Sequence, residues 1–354
     1  MSRIAVVLFN LGGPDSLQAV RPFLKNLFSD PAIIAAPAPV RWFLARLIST
    51  RRAPVARKIY EHMGGRSPIL PETEAQADAL RAALMKNAPD HQWHVSIAMR
   101  YWHPTAAAAA AEVSEFGPDR IVLLPLYPQF STTTTGSSAE DWARAALGAG
   151  LDVPTSLLCC YPDDPGFVAA VARLTAESIA DARNQAPSAP LKVLFSAHGL
   201  PKRVIATGDP YQWQVERTVA AVQDRLGTAL EGAQTMTCFQ SRVGPLEWIG
   251  PATDQVISQA GAAGAAIVVV PIAFVSEHSE TLVELDIEYR HLAERAGAAA
   301  YVRVPAVGTD PDFIEGLAQL AEATLAREGV ASGRNIDLNS RVCPDTLGRC
   351  AQCP

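Results

Sequence analysis

What most limits the folds open to this chain is an alternation. Short runs of apolar, largely β-branched residues recur between longer Ala-rich stretches with helical spacing. The runs are Ile4–Phe9, Trp93–Met99, Arg120–Leu126, Thr155–Cys160, Lys192–Ala197, Thr235–Phe239, Ala266–Ile272 and Ala300–Val304. Several are apolar almost throughout, as parallel strands are when helices cover both faces. Between them, Glu72–Met85, Ala106–Phe116, Gly166–Arg183, Tyr211–Leu226 and Asp312–Glu328 read as helices. Strand and helix in turn, joined by short loops, give a doubly wound α/β fold. Four runs fall in each half, so the expectation is two similar domains, residues 1–163 and 164–330, each on a four-stranded parallel sheet, with a Cys-rich tail at 331–354.

Composition narrows the function. The formal net charge of −6 argues against nucleic acid as a partner, because phosphate binding wants a basic face. With 49% hydrophobic and 19% charged residues there is ample core material and little reason for disorder. No stretch approaches the roughly 20 apolar residues of a membrane span. The start, MSRIAVVLF, has no signal-peptide layout, so a cytoplasmic protein is expected. Residues 31–53 interrupt the plan with an apolar stretch broken by Pro and punctuated by Arg41, Arg46, Arg51 and Arg52. On a helix over Val40–Ser49 it is either a core helix or a hydrophobic lip for a membrane surface or a greasy ligand.

Three groups of polar residues sit where ligands bind such sheets, beyond the carboxyl ends of strands. In LFSAHGLP, His198 ends an apolar run at the turn made by Gly199 and Pro201. It is either a catalytic imidazole or a turn histidine bonded to backbone. In FVSEHSETLVELDIEY, Glu277, Glu280, Glu284 and Glu288 fall within roughly 80° of one another at helical spacing, with no interleaved Lys or Arg. That stripe is a solvated helix surface, or it attracts a divalent cation or accepts protons. RYWHP and the hydroxyl-rich YPQFSTTTTGSS follow two more runs; the latter holds an anion or caps the next helix, with Ser138 as the candidate cap. Asn10–Pro14 lacks the spacing of the dinucleotide fingerprint, so NAD finds no support.

The six cysteines are Cys159, Cys160, Cys238, Cys343, Cys350 and Cys353. Three of them crowd the tail at spacings of six residues and then two. Thiolates so placed suit Zn²⁺ or an iron–sulfur cluster, with a fourth ligand from elsewhere.

Taken together, the motifs resemble ferrochelatases, which insert Fe²⁺ into a porphyrin. The resemblance is collinear over nearly the whole chain: FNLGGPDSL, GGRSPI, RYWHP, LPLYPQFSTTTTGSS, LFSAHGLP, FQSRVGPLEWIGP and FVSEHSETLVELDIEY. It implies two Rossmann-like domains around a porphyrin cleft, a chelatase-like fold. His198 and Glu280 match the family's central histidine and carboxylate, and Glu277, Glu284 and Glu288 its acidic line for iron or protons. Phe274, His278 and Trp248 match pocket residues, while Arg100 and Tyr101 match positions on the opposite side of the porphyrin. Leu11, Arg51, Arg52, Tyr60 and Ser67 match the pocket and its mouth, and residues 31–53 match the hydrophobic lip. Arg66 stands where many members have Gly.

Members with a C-terminal [2Fe-2S] cluster carry three tail cysteines and one internal cysteine. The resemblance thus implies a cluster on Cys343, Cys350 and Cys353. The internal position of the animal enzymes falls near Ala170, so Cys160 or Cys159 is the candidate fourth ligand, and Cys238 is read as core. The substrates implied are ferrous iron and protoporphyrin IX, because the lip is apolar and Leu11 opens the first motif; coproporphyrin III would want a more basic pocket. The remaining alternatives are a chelatase for another tetrapyrrole, a haem carrier and an iron–sulfur sensor. Peripheral contact with the inner membrane face is allowed, and monomer and homodimer are both open.

Overall fold

A computed structural model of the chain describes residues 1–242, 244, 246–327, 329–331 and 341–352. Nine strands are described: β1 Ser2–Asn10, β2 His91–Met99, β3 Arg120–Pro125, β4 Thr155–Leu158, β5 Leu191–His198, β6 Ala233–Gln240, β7 Ala266–Pro271, β8 Ala300–Arg303 and β9 Gly329–Ala331. They form two all-parallel sheets, in the orders β2-β1-β3-β4-β9 and β6-β5-β7-β8. The eight apolar runs all become strands. The first sheet has one strand more than expected, because β9 is only Gly-Val-Ala and leaves no run to read. Burial on both faces explains the unbroken apolar pattern: β1 is buried from Ile4 to Asn10 and β7 along its whole length.

The chain divides into two compact units. One holds Met1–Cys160 and the stretch from Leu317; the other holds Tyr161–Gly316 and the tail from Val342. In the first, Ala5, Val7, Phe9, Ile121 and Leu123 pack on the helix Ala106–Phe116, whose Ala109, Ala110 and Val113 are fully buried. Thr105 starts that helix by accepting the Ala108 N–H at 3.2 Å, and Gly117 ends it in the left-handed region at φ 61°. In the second unit, Leu194, Ile267 and Val269 pack on Val256, Ile257 and Ala260 of the helix Thr253–Ala262. Asp164 caps the long helix Pro165–Gln185 through the Gly166 and Phe167 N–H groups.

Two local expectations are corrected. The helix read over Val40–Ser49 runs from Ala38 to Glu61, straight past Pro54. The hydroxyl-rich loop does not use Ser138 as its cap. Ser131 caps instead, accepting the Thr133 N–H at 3.1 Å, and opens a π-helical turn over Thr132–Gly136.

Parallel register brings strand ends level. In the second sheet His198 lies opposite Gln240, and Ser196 lies opposite both Cys238 and Pro271. The residues that close these strands therefore gather at one edge, where the loops carry LFSAHGLP, FQSRVGP and FVSEHSE.

Candidate functional site

The site in the second unit is built on that edge. Residues Glu280–Glu288 form a π-helix, with hydrogen bonds reaching five residues back rather than four. Its first residue, Glu280, meets His198: Nδ1 and Oε2 are 2.8 Å apart, with the side chains 37% and 25% exposed. The His198 main chain is held as well, because the Tyr211 hydroxyl donates to its carbonyl at 3.0 Å. Gly199 lets the strand leave tightly. Its N–H donates to the Gln240 carbonyl at 2.8 Å, and a Cβ there would stand 2.8 Å from that same oxygen.

Glu284 is one turn further on and is tied down by four groups. The Gln240 amide donates to Oε2 at 3.1 Å, the Ser241 N–H to Oε1 at 2.9 Å, the Ser241 hydroxyl to Oε2 at 2.5 Å and the Tyr289 hydroxyl to Oε1 at 2.9 Å. Gln240 is itself oriented by the Ser196 hydroxyl, which donates to its Oε1 at 2.8 Å. Ser241 also reaches Glu280, with Oγ 3.3 Å from Oε2.

These contacts set the charges. Burial works to raise the Glu280 carboxyl, but the charge and hydrogen bond of His198, then His278 and the Ser241 hydroxyl, hold it down at about 2. Burial works to lower His198, yet the carboxylates of Glu280 and Glu284 raise it above its ordinary 6.5. Glu284 moves up from 4.5, pushed by burial and by the Glu280 charge against its hydroxyl donors. The pairing favours imidazolium on His198 and carboxylate on Glu280, and Glu284 is the neighbouring carboxyl that takes a proton more readily.

Glu277 and Glu288, the other carboxylates of the expected acidic line, are placed differently. Glu277 precedes the π-helix and is turned to Arg303 Nη1 at 2.8 Å and the Ala306 N–H at 3.0 Å. Glu288 is exposed. Glu277 lies before the helical turns, so helical spacing does not place it with the others, whereas Glu280, Glu284 and Glu288 share the π-helix. His278 is buried, donating from Nδ1 to the Ser276 carbonyl at 3.0 Å, with its ring 4.7 Å from that of Phe274. Trp248 lies beside the strand exit, where its ring would stand 3.5 Å from a Cβ at Gly199.

In the first unit, Arg100 and Tyr101 converge on a residue that sequence reasoning missed. Asp30, 4% exposed, accepts from Arg100 Nη2 at 2.8 Å, the Tyr101 hydroxyl at 2.8 Å and the Ser137 hydroxyl at 2.5 Å. Tyr60 and Tyr101 share one apolar cluster with Val20, Phe23 and Leu24, against which Leu11 packs. Ser67 is buried and donates its N–H to the Pro14 carbonyl at 2.8 Å, locking GGRSPI to the first motif. Arg51 and Arg52 are exposed, with the Arg52 guanidinium 6.0 Å from the Phe28 ring.

Of the tail thiols, Cys343 and Cys350 are buried, and the Gln214 amide stands 3.0 Å from Cys343 Sγ. Cys353 lies outside the described residues. Cys159 and Cys160 are buried in the other unit. No group of three His, Cys, Asp or Glu side chains able to hold a metal is present among the described residues. Among the described residues the thiols do not assemble a cluster's ligand set. Cys238 belongs to the core beside Ile257 and Val269, where burial pushes its thiol up to about 11.

Gln240, Ser241, Tyr211 and Asp30 escaped the sequence reading as site residues. Gln240 and Ser241 stand inside FQSRVGP, so the motif carried a signal for them; Asp30 and Tyr211 lie outside the quoted motifs and had none.

The ferrochelatase family model matches residues 3–325. A ferrochelatase of Phenylobacterium zucineum is 53% identical over 349 residues, covering 99% of this chain and 98% of its own. One from Caulobacter vibrioides is 54% identical, covering 92% and 91%. Among solved structures, SirB from Bacillus subtilis with Fe³⁺ shares the fold at a TM-score of 0.52 and 14% identity, covering 92% of this chain and 96% of that one. The chain belongs to the ferrochelatase family, enzymes of haem biosynthesis that place ferrous iron in a porphyrin.

Proposed function

We propose that the porphyrin is protoporphyrin IX and that His198 and Glu280 carry the proton chemistry of insertion. The observation that supports this most is the 2.8 Å pair they form beside a second, more proton-hungry carboxyl. Insertion releases two pyrrole N–H protons as Fe²⁺ enters, and a flat macrocycle presents its lone pairs badly to a metal coming from one face. Binding that bends the ring brings it toward the transition state. Neutral His198, with its Nδ1–H directed at Glu280, takes a pyrrole proton at Nε2 as its Nδ1 proton moves to the Glu280 carboxylate. Glu284 is the next acceptor. In the first unit, Asp30 holds Arg100 and Tyr101, which match family positions that face the porphyrin.

Anaerobic incubation with Fe²⁺ and either protoporphyrin IX or coproporphyrin III, with His198→Ala alongside, tests the reading. Haem from protoporphyrin with wild type and not with the variant is the expected result. A preference for coproporphyrin overturns the substrate, and normal rates in His198→Ala overturn the residue.

The helix Ala38–Glu61 supports a peripheral membrane contact: Val40, Trp42, Phe43 and Val55 are 51%, 58%, 59% and 65% exposed, with Arg51 and Arg52 nearby. No helix among the described residues is long and apolar enough to cross a membrane. Co-sedimentation with anionic vesicles, lost in a Trp42→Ser/Phe43→Ser variant, is the expected outcome for a cytoplasmic protein resting on the inner face. The [2Fe-2S] cluster stands as a separate proposal on the tail spacing and the resemblance; iron and acid-labile sulfide per chain in the purified protein test it.

A further inference from the structure

We propose that Ser241 is a positioning residue for the reaction, its hydroxyl bridging Glu280 and Glu284 so that a proton gathered at the first passes to the second. The inference rests on the reading that His198 and Glu280 take part in deprotonating the porphyrin.

Its backbone is the first sign. Ser241 is the non-glycine residue with a positive φ, 62°, among the described residues. A glycine takes that conformation freely, whereas serine carries strain there, and strain held beside a reactive pair points to what the side chain does. The conformation aims both donors of one residue at one carboxylate. The N–H reaches Glu284 Oε1 at 2.9 Å and the hydroxyl reaches Oε2 at 2.5 Å.

The second sign is the other neighbour of that oxygen, Glu280 Oε2 at 3.3 Å. A hydroxyl has one proton to give and lone pairs to receive. With the proton directed at Glu284, a lone pair is left toward Glu280. When Glu280 is protonated, its O–H bond breaks as a new bond forms to Ser241 Oγ. The original Oγ–H bond breaks as Glu284 Oε2 gains a proton. The serine ends as it began, one proton has moved, and no electron transfer is involved.

Direction follows from the surroundings. His198, His278 and Ser241 favour the charged form of Glu280, while burial and the Glu280 charge favour the neutral form of Glu284. The groups facing the bridge are His198 from β5, Gln240 from β6, His278 before the π-helix and Tyr289 after it. A proton therefore runs downhill from Glu280 to Glu284, which frees Glu280 to receive the next.

Ser241→Gly in the full chain removes the hydroxyl and keeps, or eases, the backbone conformation. With Fe²⁺ and protoporphyrin IX, we expect kcat to fall about tenfold or more with KM for the porphyrin unchanged. The melting temperature should be unchanged or higher. A merely structural role would lower the melting temperature and move KM together with kcat, and that result overturns the proposal. So does a wild-type kcat in Ser241→Gly. The wild type in the same assay separates the two readings: a wild type that makes no haem removes the underlying assignment and this one with it, whereas an active wild type beside an unimpaired Ser241→Gly removes this one alone.

Discussion

His198 and Glu280 stand 82 residues apart in the chain, yet their Nδ1 and Oε2 atoms lie 2.8 Å apart. One ends a parallel strand and the other opens a π-helix, so the contact is held by two rigid elements rather than by loops. Glu280→Gln removes the charge that most raises the imidazole and leaves burial, which lowers it. The His198 titration should therefore move from above 6.5 to lower pH, as read by NMR of the ring carbons. Because the scheme needs a neutral imidazole, any residual insertion by Glu280→Gln should rise at lower pH than in the wild type, while the maximum rate falls. An unmoved His198 titration would show that the carboxylate does not govern it.

The same pair contributes to stability in a defined window. Glu280 is held at about 2 against an ordinary 4.5, so its contribution is present above about pH 4.5 and is lost as pH falls through 2. His198 is raised, so its share is full below 6.5 and fades as pH rises through its folded value. The advantage of wild type over Glu280→Gln in melting temperature should be greatest between these limits. It should shrink on acidification below pH 4.5. A difference constant from pH 2 to 6 would sink the assignment.

Particular elements were legible in the sequence and others were not. Strands such as β1, β3, β5 and β7 were readable because they are buried on both faces, which forces an unbroken apolar run, whereas β6, exposed over its first half, showed only as a short β-branched and apolar stretch. β9 was not readable, since three residues at a sheet edge bury too little to leave a pattern. His198 and Glu280 were legible because polar residues at strand ends stand out. The bond between them was not, because it depends on register. Of the four glutamates, Glu280, Glu284 and Glu288 share one π-helix, while Glu277 lies before it. A π-helix and an α-helix share the same composition, and only the three-dimensional path turns Glu277 toward Arg303. Ser241 was hidden for a similar reason: left-handed backbone on a non-glycine residue has no compositional mark.

Asp30 offers a test within the first unit. It is the shared acceptor of Arg100, Tyr101 and Ser137, and it also turns the chain by accepting the Ala32 N–H at 2.8 Å. Asp30→Ala would leave the Arg100 guanidinium, 14% exposed, with Asp141 at 3.5 Å as its remaining ion-pair partner among the described residues, and a buried phenol without its acceptor. Removing one partner of such a buried pair costs about 3–5 kcal/mol. Asp30→Asn keeps an acceptor and should cost less. Denaturant unfolding should rank them wild type, Asn, Ala; equal stability of all three would mean the cluster contributes little.

The first two motifs are coupled by packing. A Cβ on Gly13 would lie 2.5 Å from both Cβ and Oγ of Ser67, a distance that side chains do not adopt. Gly13→Ala should therefore destabilise by about 1–3 kcal/mol, as overpacking of a close-packed interior does. The clash is with a side chain, so removing that side chain should relieve it. The double variant Gly13→Ala/Ser67→Gly should recover stability relative to Gly13→Ala, even though Ser67→Gly alone gives up the contact of its hydroxyl with the Ile69 N–H. A full cycle of melting measurements reads this as a coupling of opposite sign to the single effects. Strict additivity would mean that the backbone, not the Ser67 side chain, sets the need for glycine at position 13. The close approach also accounts for both motifs in one chain, because the strand exit after β1 can lie this low only while GGRSPI presents a small residue above it.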